Sequence, residues 1–178
     1  MPAAERGATG VAKRIFLVGL MGSGKSTVGR ALADLLDRPY LDNDALLAQR
    51  TGLDAPALAD LGRAALHDQE SRQLHALLDA PAPYVAGIAA SVADNPDDLG
   101  RIAAAGRVVY LRATPATLAR RVGHGQGRPW VGGDLLSTLS EMFATRDEAF
   151  RRVAHVVDTD GRDPREIAAE LTRLLGAG

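Results

Sequence analysis

The residues best placed to do chemistry come early. Gly19-Leu20-Met21-Gly22-Ser23-Gly24-Lys25-Ser26 spells a glycine, four residues, then Gly-Lys-Ser, with Thr27 next. Glycines at this spacing let successive backbone N–H groups curl around a phosphate without Cβ obstruction. Lys25 adds a flexible point charge for the outer phosphates, and the Ser26 hydroxyl suits a magnesium ion. The helix opening at Ser26 contributes its dipole. A chance glycine-rich turn would not be expected directly between a buried strand and a helix, where this one falls. The pattern points to a nucleotide but does not say what the nucleotide is for.

Asp42-Asn43-Asp44 follows a second short apolar run, at the carboxyl end of a strand, where open α/β sheets place ligands. Two carboxylates at this spacing can divide the work, one ordering metal-bound water and one receiving a proton from an attacking hydroxyl. A purely structural alternative has Asp44 capping the next helix and Asp42 solvated. Arg146 has no acid among Met142, Phe143, Ala149 and Phe150, its neighbours at helical spacing, so a partner from outside its own helix is expected. His75, His124 and His155 sit at no metal-ligand spacing and read as structural or solvated. Trp130 reads equally as a residue stacking on a ligand or as an anchor for its loop.

Alternating strands and helices must carry these groups. Ile15–Val18, Tyr40-Leu41, Tyr84–Ala89, Val108–Leu111 and His155–Val157 read as strands. Ser26–Leu36, Asp44–Arg50, Ala57–Leu78 (broken near Leu61-Gly62), Thr114–Val122 and Pro164–Leu175 read as helices, the fourth with Thr114 as cap and Pro115 at its first position. Such alternation predicts βαβ units in a three-layer α/β sandwich with a parallel sheet. Gly123–Gly133, five glycines in eleven residues, is expected to be a mobile loop, and Met1–Ala12 a flexible tail before one domain over 13–176.

Composition narrows the class. The 178 residues are 46% hydrophobic and 24% charged, with 21 Lys plus Arg against 22 Asp plus Glu, which excludes a disordered chain and gives no basic excess for nucleic acid. The absence of Cys excludes disulfide frameworks, thiolate metal sites and cysteine nucleophiles. No apolar stretch approaches a membrane span and no signal-peptide core is visible, so a cytoplasmic protein is expected.

With these residues in view, the chain resembles the shikimate kinase family. Ile15–Thr27 (IFLVGLMGSGKST), the following VGRALADLL, LDND at Leu41–Asp44 and QRTG at Gln49–Gly52 carry the likeness. It continues through VVYLRATPATLARR at Val108–Arg121, Arg128-Pro129, Arg146 and Asp158–Pro164. The resemblance implies a nucleoside-monophosphate-kinase-like fold, a five-stranded parallel sheet, a lid about residues 123–133, and ATP with Mg2+. It implies that Gly22, Ser23, Gly24, Lys25, Ser26 and Thr27 bind nucleotide phosphates, with Ser26 and Asp42 at the metal. Asp44 would hold and deprotonate the acceptor hydroxyl, and Arg128 would reach the transferring phosphate. Arg121 and Pro164 would sandwich adenine, while Arg146 would pair with the acceptor carboxylate.

Two positions depart from that family's pattern. Leu66-His67 stands where Phe-Arg is usual, so a bidentate guanidinium is replaced by an imidazole offering one donor at a time. Ile88-Ala89-Ala90 replaces three glycines after the third strand, adding side chains where an acceptor would lie against bare backbone. His67 and Ala89 are therefore expected at an altered acceptor site. The leading expectation is a monomeric ATP-dependent kinase for a hydroxyl of a small polyhydroxylated molecule, shikimate first. A cyclitol, sugar or hydroxy acid is the alternative acceptor. A regulatory nucleotide-binding protein competes, although it would have no use for Asp44, Arg128 and Arg146 together. A simple NTPase switch lacks an acid at the end of the third strand.

Overall fold

A computed structural model describes residues 12–123 and 134–176. The expected tail up to residue 11 and the expected lid after Gly123, with His124, Arg128 and Trp130, lie outside the described residues.

Five strands form one parallel sheet: β1 (Arg14–Val18), β2 (Tyr40–Asp42), β3 (Tyr84–Gly87), β4 (Arg107–Arg112) and β5 (His155–Asp158), in the order β2-β3-β1-β4-β5. β1 is central, pairing with β3 through Leu17 opposite Gly87 and with β4 through Val18 opposite Tyr110. Its continuous apolar run is explained by burial on both faces. Ile15 and Leu17 join Leu32, Leu111, Ile167 and Leu171 on one side, whereas Phe16 and Val18 join Leu74, Leu77, Tyr110 and Phe150 on the other. Alternate residues of one strand thus feed two separate cores.

The first core is closed by α1 (Lys25–Leu35) and α8 (Pro164–Gly176), the second by α4 (Arg63–Leu78), α5 (Pro96–Ala105) and α7 (Leu135–Val153). The remaining helices are α2 (Asn43–Thr51), α3 (Ala55–Asp60) and α6 (Pro115–Gly123). The expected break near Leu61-Gly62 separates α3 from α4, where Gly62 takes φ +85°.

Two expectations need correction. The third strand ends at Gly87 rather than Ala89, and a 3-10 turn follows at Ala90–Asp94. Ile88 and Ala89 are buried, but as the floor of a cavity instead of a strand. Residues 96–105, not assigned from sequence, form α5, opened by Asn95, whose side chain accepts from the amides of Asp97 and Asp98, and by Pro96 at the first position.

Candidate active site

The loop after β1 turns on left-handed glycines: Gly22 has φ +79° and Gly24, the residue before α1, φ +98°. A Cβ on Gly22 would stand 2.9 Å from Val122 Cγ2 and 3.2 Å from the Leu118 carbonyl, so the loop also needs glycine to pack against α6. Lys25 Nζ reaches back to donate to the Gly19 carbonyl at 2.7 Å and the Leu20 carbonyl at 3.3 Å. The ammonium therefore lies along the loop it would serve. Ser23 is buried, and its Oγ has no hydrogen-bond partner among the described residues. A cradle that excludes Cβ atoms and holds an orphan hydroxyl fits a phosphate group. Thr27 lies exposed in the first turn of α1.

Tyr40 sets the distance from this loop to the carboxylates. Its ring fills the space between α1 and β3, where a Cβ on Gly29 or Gly87 would come within 2.3 Å of it. Burial pushes its hydroxyl up to about 12, so it stays protonated. Asp42 then meets Ser26, whose Oγ donates to Asp42 Oδ2 at 3.0 Å. The other oxygen, Oδ1, accepts from the amides of Asp44 (3.1 Å) and Ala45 (3.3 Å) and caps α2. The structural alternative read from sequence had assigned this cap to Asp44; Asp42 holds it instead. Asp44 is exposed in the first turn of α2, and its charge is felt by Glu70, a residue that lines the adjacent cavity. Among the described residues no group of three or more His, Asp or Glu is gathered for a metal. Ser26 and Asp42 fit a magnesium ion that takes its other ligands from phosphate and water, the usual habit of that ion.

The cavity, about 280 Å³, lies at the small end of ligand pockets, which run to roughly 300–1,000 Å³, a size suited to a small acceptor. Asn43, His67, Glu70, Ala89 and Asp94 are among its lining residues. His67 and Ala89 are thus brought together as the sequence led us to expect. Ile88 and Ala90 take no positive φ, and Ala89 sits at φ −57°, so the three residues replacing glycine are unstrained; their side chains simply occupy space. Burial depresses the His67 pKa below its ordinary value, more than offsetting the Asp94 charge, and keeps the ring neutral at pH 7. Glu70 is shifted the other way, with burial as the main cause, while the Ser91 hydroxyl that donates to it works against the rise.

Arg146 is placed by its neighbour Asp147, which accepts from Arg151 Nε within α7 (2.7 Å) and from Tyr110 Oη (3.0 Å) and Arg112 Nε (2.8 Å), the last two fixing the rotation of α7 against β4. Arg146 consequently faces inward, with its side chain 6% exposed. Its partner does come from another element, but it is protein: Nε and Nη2 donate to Asp94 Oδ1 and Oδ2 at 3.0 and 2.5 Å. The fork expected to take an acceptor carboxylate is held by Asp94, at the end of the 3-10 turn. Sequence reasoning missed Asp94 because 52 residues separate the pair. It also missed Glu70, which periodicity places on a helix, and Asn43, which it leaves just ahead of one, without saying what either faces.

At the opposite end of the sheet, Arg121 ties the phosphate loop to the turn after β5. Nη1 donates to the Gly22 carbonyl (3.2 Å) and Thr159 Oγ1 (3.1 Å), and Nη2 to the Thr159 carbonyl (2.8 Å). Asp160, accepting from the Thr114 amide and hydroxyl, locks the same turn to the start of α6. With its N–H groups engaged at the edge, the guanidinium keeps its flat faces for stacking, and Pro164 opens α8 a few residues on.

A family model for shikimate kinase matches residues 21–175. The chain belongs to the shikimate kinase family. A shikimate kinase of Dechloromonas aromatica is 37% identical over 147 residues, covering 82% of this chain and 80% of the relative. One from Nitrosospira multiformis is 35% identical over 176 residues, 97% of this chain and 88% of the relative. Among solved structures, the shikimate kinase from Acinetobacter baumannii in complex with shikimate superposes with a TM-score of 0.86 at 28% identity, covering 92% of each chain. This member of the shikimate kinase family is accordingly an ATP-dependent phosphotransferase acting on a hydroxyl group. Among the described residues no helix is long and apolar enough to cross a membrane.

Proposed function

We propose that this chain moves the γ-phosphoryl group of ATP onto a hydroxyl of shikimate, working as a cytoplasmic monomer with Mg2+. The observation that carries this reading is the 3.0 Å link from phosphate-loop Ser26 to Asp42, with Asn43, next in the chain, lining a small cavity whose Glu70 feels the charge of Asp44. That arrangement sets a phosphate cradle beside an acceptor pocket, as in-line transfer requires.

Lys25 neutralises charge on the outer phosphates, and the loop amides hold the chain of phosphates in line with the acceptor. Ser26 and Asp42 would hold a magnesium ion, which would screen phosphate charge. Asp44 accepts the proton of the acceptor hydroxyl as its oxygen bonds to the γ-phosphorus and the bond to the bridging oxygen of ADP breaks. Arg121 and Pro164 flank the adenine. Arg128, supplied by the resemblance, meets the charge on the transferring group. Little covalent work falls to the protein; positioning and charge neutralisation carry the rate.

An ADP-release assay with shikimate and a panel of cyclitols, sugars and hydroxy acids tests the reading. Release dependent on shikimate supports it. Release that depends on another member of the panel, or on none, overturns it.

A further inference from the structure

Asp94 is the unexplained charge in the acceptor cavity. It lines the cavity, its side chain is 34% exposed, and both its oxygens are spent on the Arg146 fork. Arg146 itself is 6% exposed and is not among the lining residues. A fork–fork pair is the geometry by which arginine grips a carboxylate, so Asp94 already makes the contact an acceptor carboxylate would make. The other lining groups do not replace the lost attraction. His67 is neutral, and Glu70 and buried Asp98 add acid rather than base. One more lining group points to a ligand and to its kind. Asn43 is 1% exposed, and both its side-chain nitrogen and oxygen lack partners among the described residues. A buried amide with donor and acceptor both unspent is suited to a neutral hydroxyl, which can give and accept one hydrogen bond each.

We propose that Asp94 is a specificity-determining residue: a resident carboxylate that occupies the Arg146 fork, so that an acceptor's own carboxylate must displace it while Asn43 reads the ring hydroxyls. The inference rests on the proposed acceptor site and refines what that site prefers. It makes shikimate a ligand taken against an internal competitor. The enzyme then discriminates weakly between shikimate and the same ring polyol with its carboxylate masked as a carboxamide. Asp94 acts through Arg146 and is a positioning residue, with no part in the chemical step.

The test is equilibrium binding of shikimate and of its carboxamide, in the presence of ADP, to the full chain and to Asp94→Asn and Asp94→Ala. Asp94→Asn keeps the shape and removes the charge, and its melting curve reports whether the fold is intact. The expected result is that both substitutions tighten shikimate at least tenfold and leave the carboxamide within about twofold. The wild-type protein should hold the two ligands within about threefold of each other. Damage to the fold would weaken both ligands, the opposite sign. Unchanged or weaker shikimate binding in a folded Asp94→Asn protein overturns the proposal, as does wild-type binding that favours shikimate strongly over the carboxamide. Wild-type turnover of shikimate, measured alongside, bears on the proposed function separately: binding can shift as described even where no phosphoryl transfer is seen.

Discussion

Asp42 is assigned two jobs, and one pair of substitutions separates them. Its Oδ1 caps α2 through two amides and its Oδ2 receives the Ser26 hydroxyl. Asp42→Ala removes both contacts. Loss of an N-cap costs about 1 kcal/mol and loss of a side-chain hydrogen bond about another 1 kcal/mol, giving a destabilisation of about 2 kcal/mol. For a domain of this size that lowers Tm by roughly 4–8 °C. Asp42→Asn behaves differently. The amide oxygen can still accept from the Asp44 and Ala45 amides, and the amide nitrogen can donate to Ser26 once that hydroxyl rotates to accept. Asn caps helices about as well as Asp, so stability should stay within roughly 0.5 kcal/mol of wild type. What Asn cannot supply is negative charge for the cation. Thermal melts followed by ADP-release kinetics across a magnesium titration read the two effects apart. The Asn variant should melt like wild type and need at least tenfold more magnesium for half-maximal rate. An Asn variant with wild-type magnesium dependence would refute the metal role. One as unstable as the Ala variant would refute the cap accounting.

Three further outcomes follow from the same geometry. Lys25→Ala should lower kcat by about 10²–10³, the usual scale for removing one charge-stabilising group, with the fold retained by circular dichroism; unchanged turnover would show that the loop does not hold the transferring phosphates. Gly22→Ala meets Val122 and Leu118 and forces a left-handed backbone on a residue with a Cβ. Strain and overpacking together cost about 2–5 kcal/mol, so Tm should fall by roughly 4–20 °C and ATP binding with it, and an unshifted melt would contradict the loop packing. Glu70 has a raised pKa, so the folded chain holds its proton more tightly than the unfolded chain, and wild-type stability falls as pH rises through that raised value. Glu70→Gln cannot ionise and should melt higher than wild type at pH 8, the gap closing as pH drops toward 4.5; a pH-independent gap would remove burial as its cause.

Much of this arrangement was legible in the sequence because single local patterns specify it. The run Ile15–Val18 can be satisfied only by a strand covered on both faces, and the structure assigns alternate residues to two cores. The glycines before Lys25 imply a turn no other residue tolerates, and Gly19, Gly22 and Gly24 all take positive φ there. The same motifs carry the likeness to the shikimate kinase family, to which the chain belongs. What stayed hidden depends on distant contacts. Ile88 and Ala89 look like strand residues, yet the pairing of β3 with β1 stops at Gly87 and leaves them as cavity floor. α5 escaped notice because its buried side is only Asp98, Leu99 and Ile102 amid alanines and acids. The Arg146–Asp94 pair joins α7 to a turn that no sequence pattern announces.

In the proposed reaction the phosphate loop and Asp44 serve one transfer between ATP and an acceptor in the adjoining cavity. Phosphorus NMR of the enzyme with MgATP and shikimate tests it most directly. A phosphomonoester signal on the acceptor is expected to grow one for one with ADP and to be lost in Asp44→Asn. ADP accompanied by inorganic phosphate, at a rate indifferent to shikimate, would contradict it.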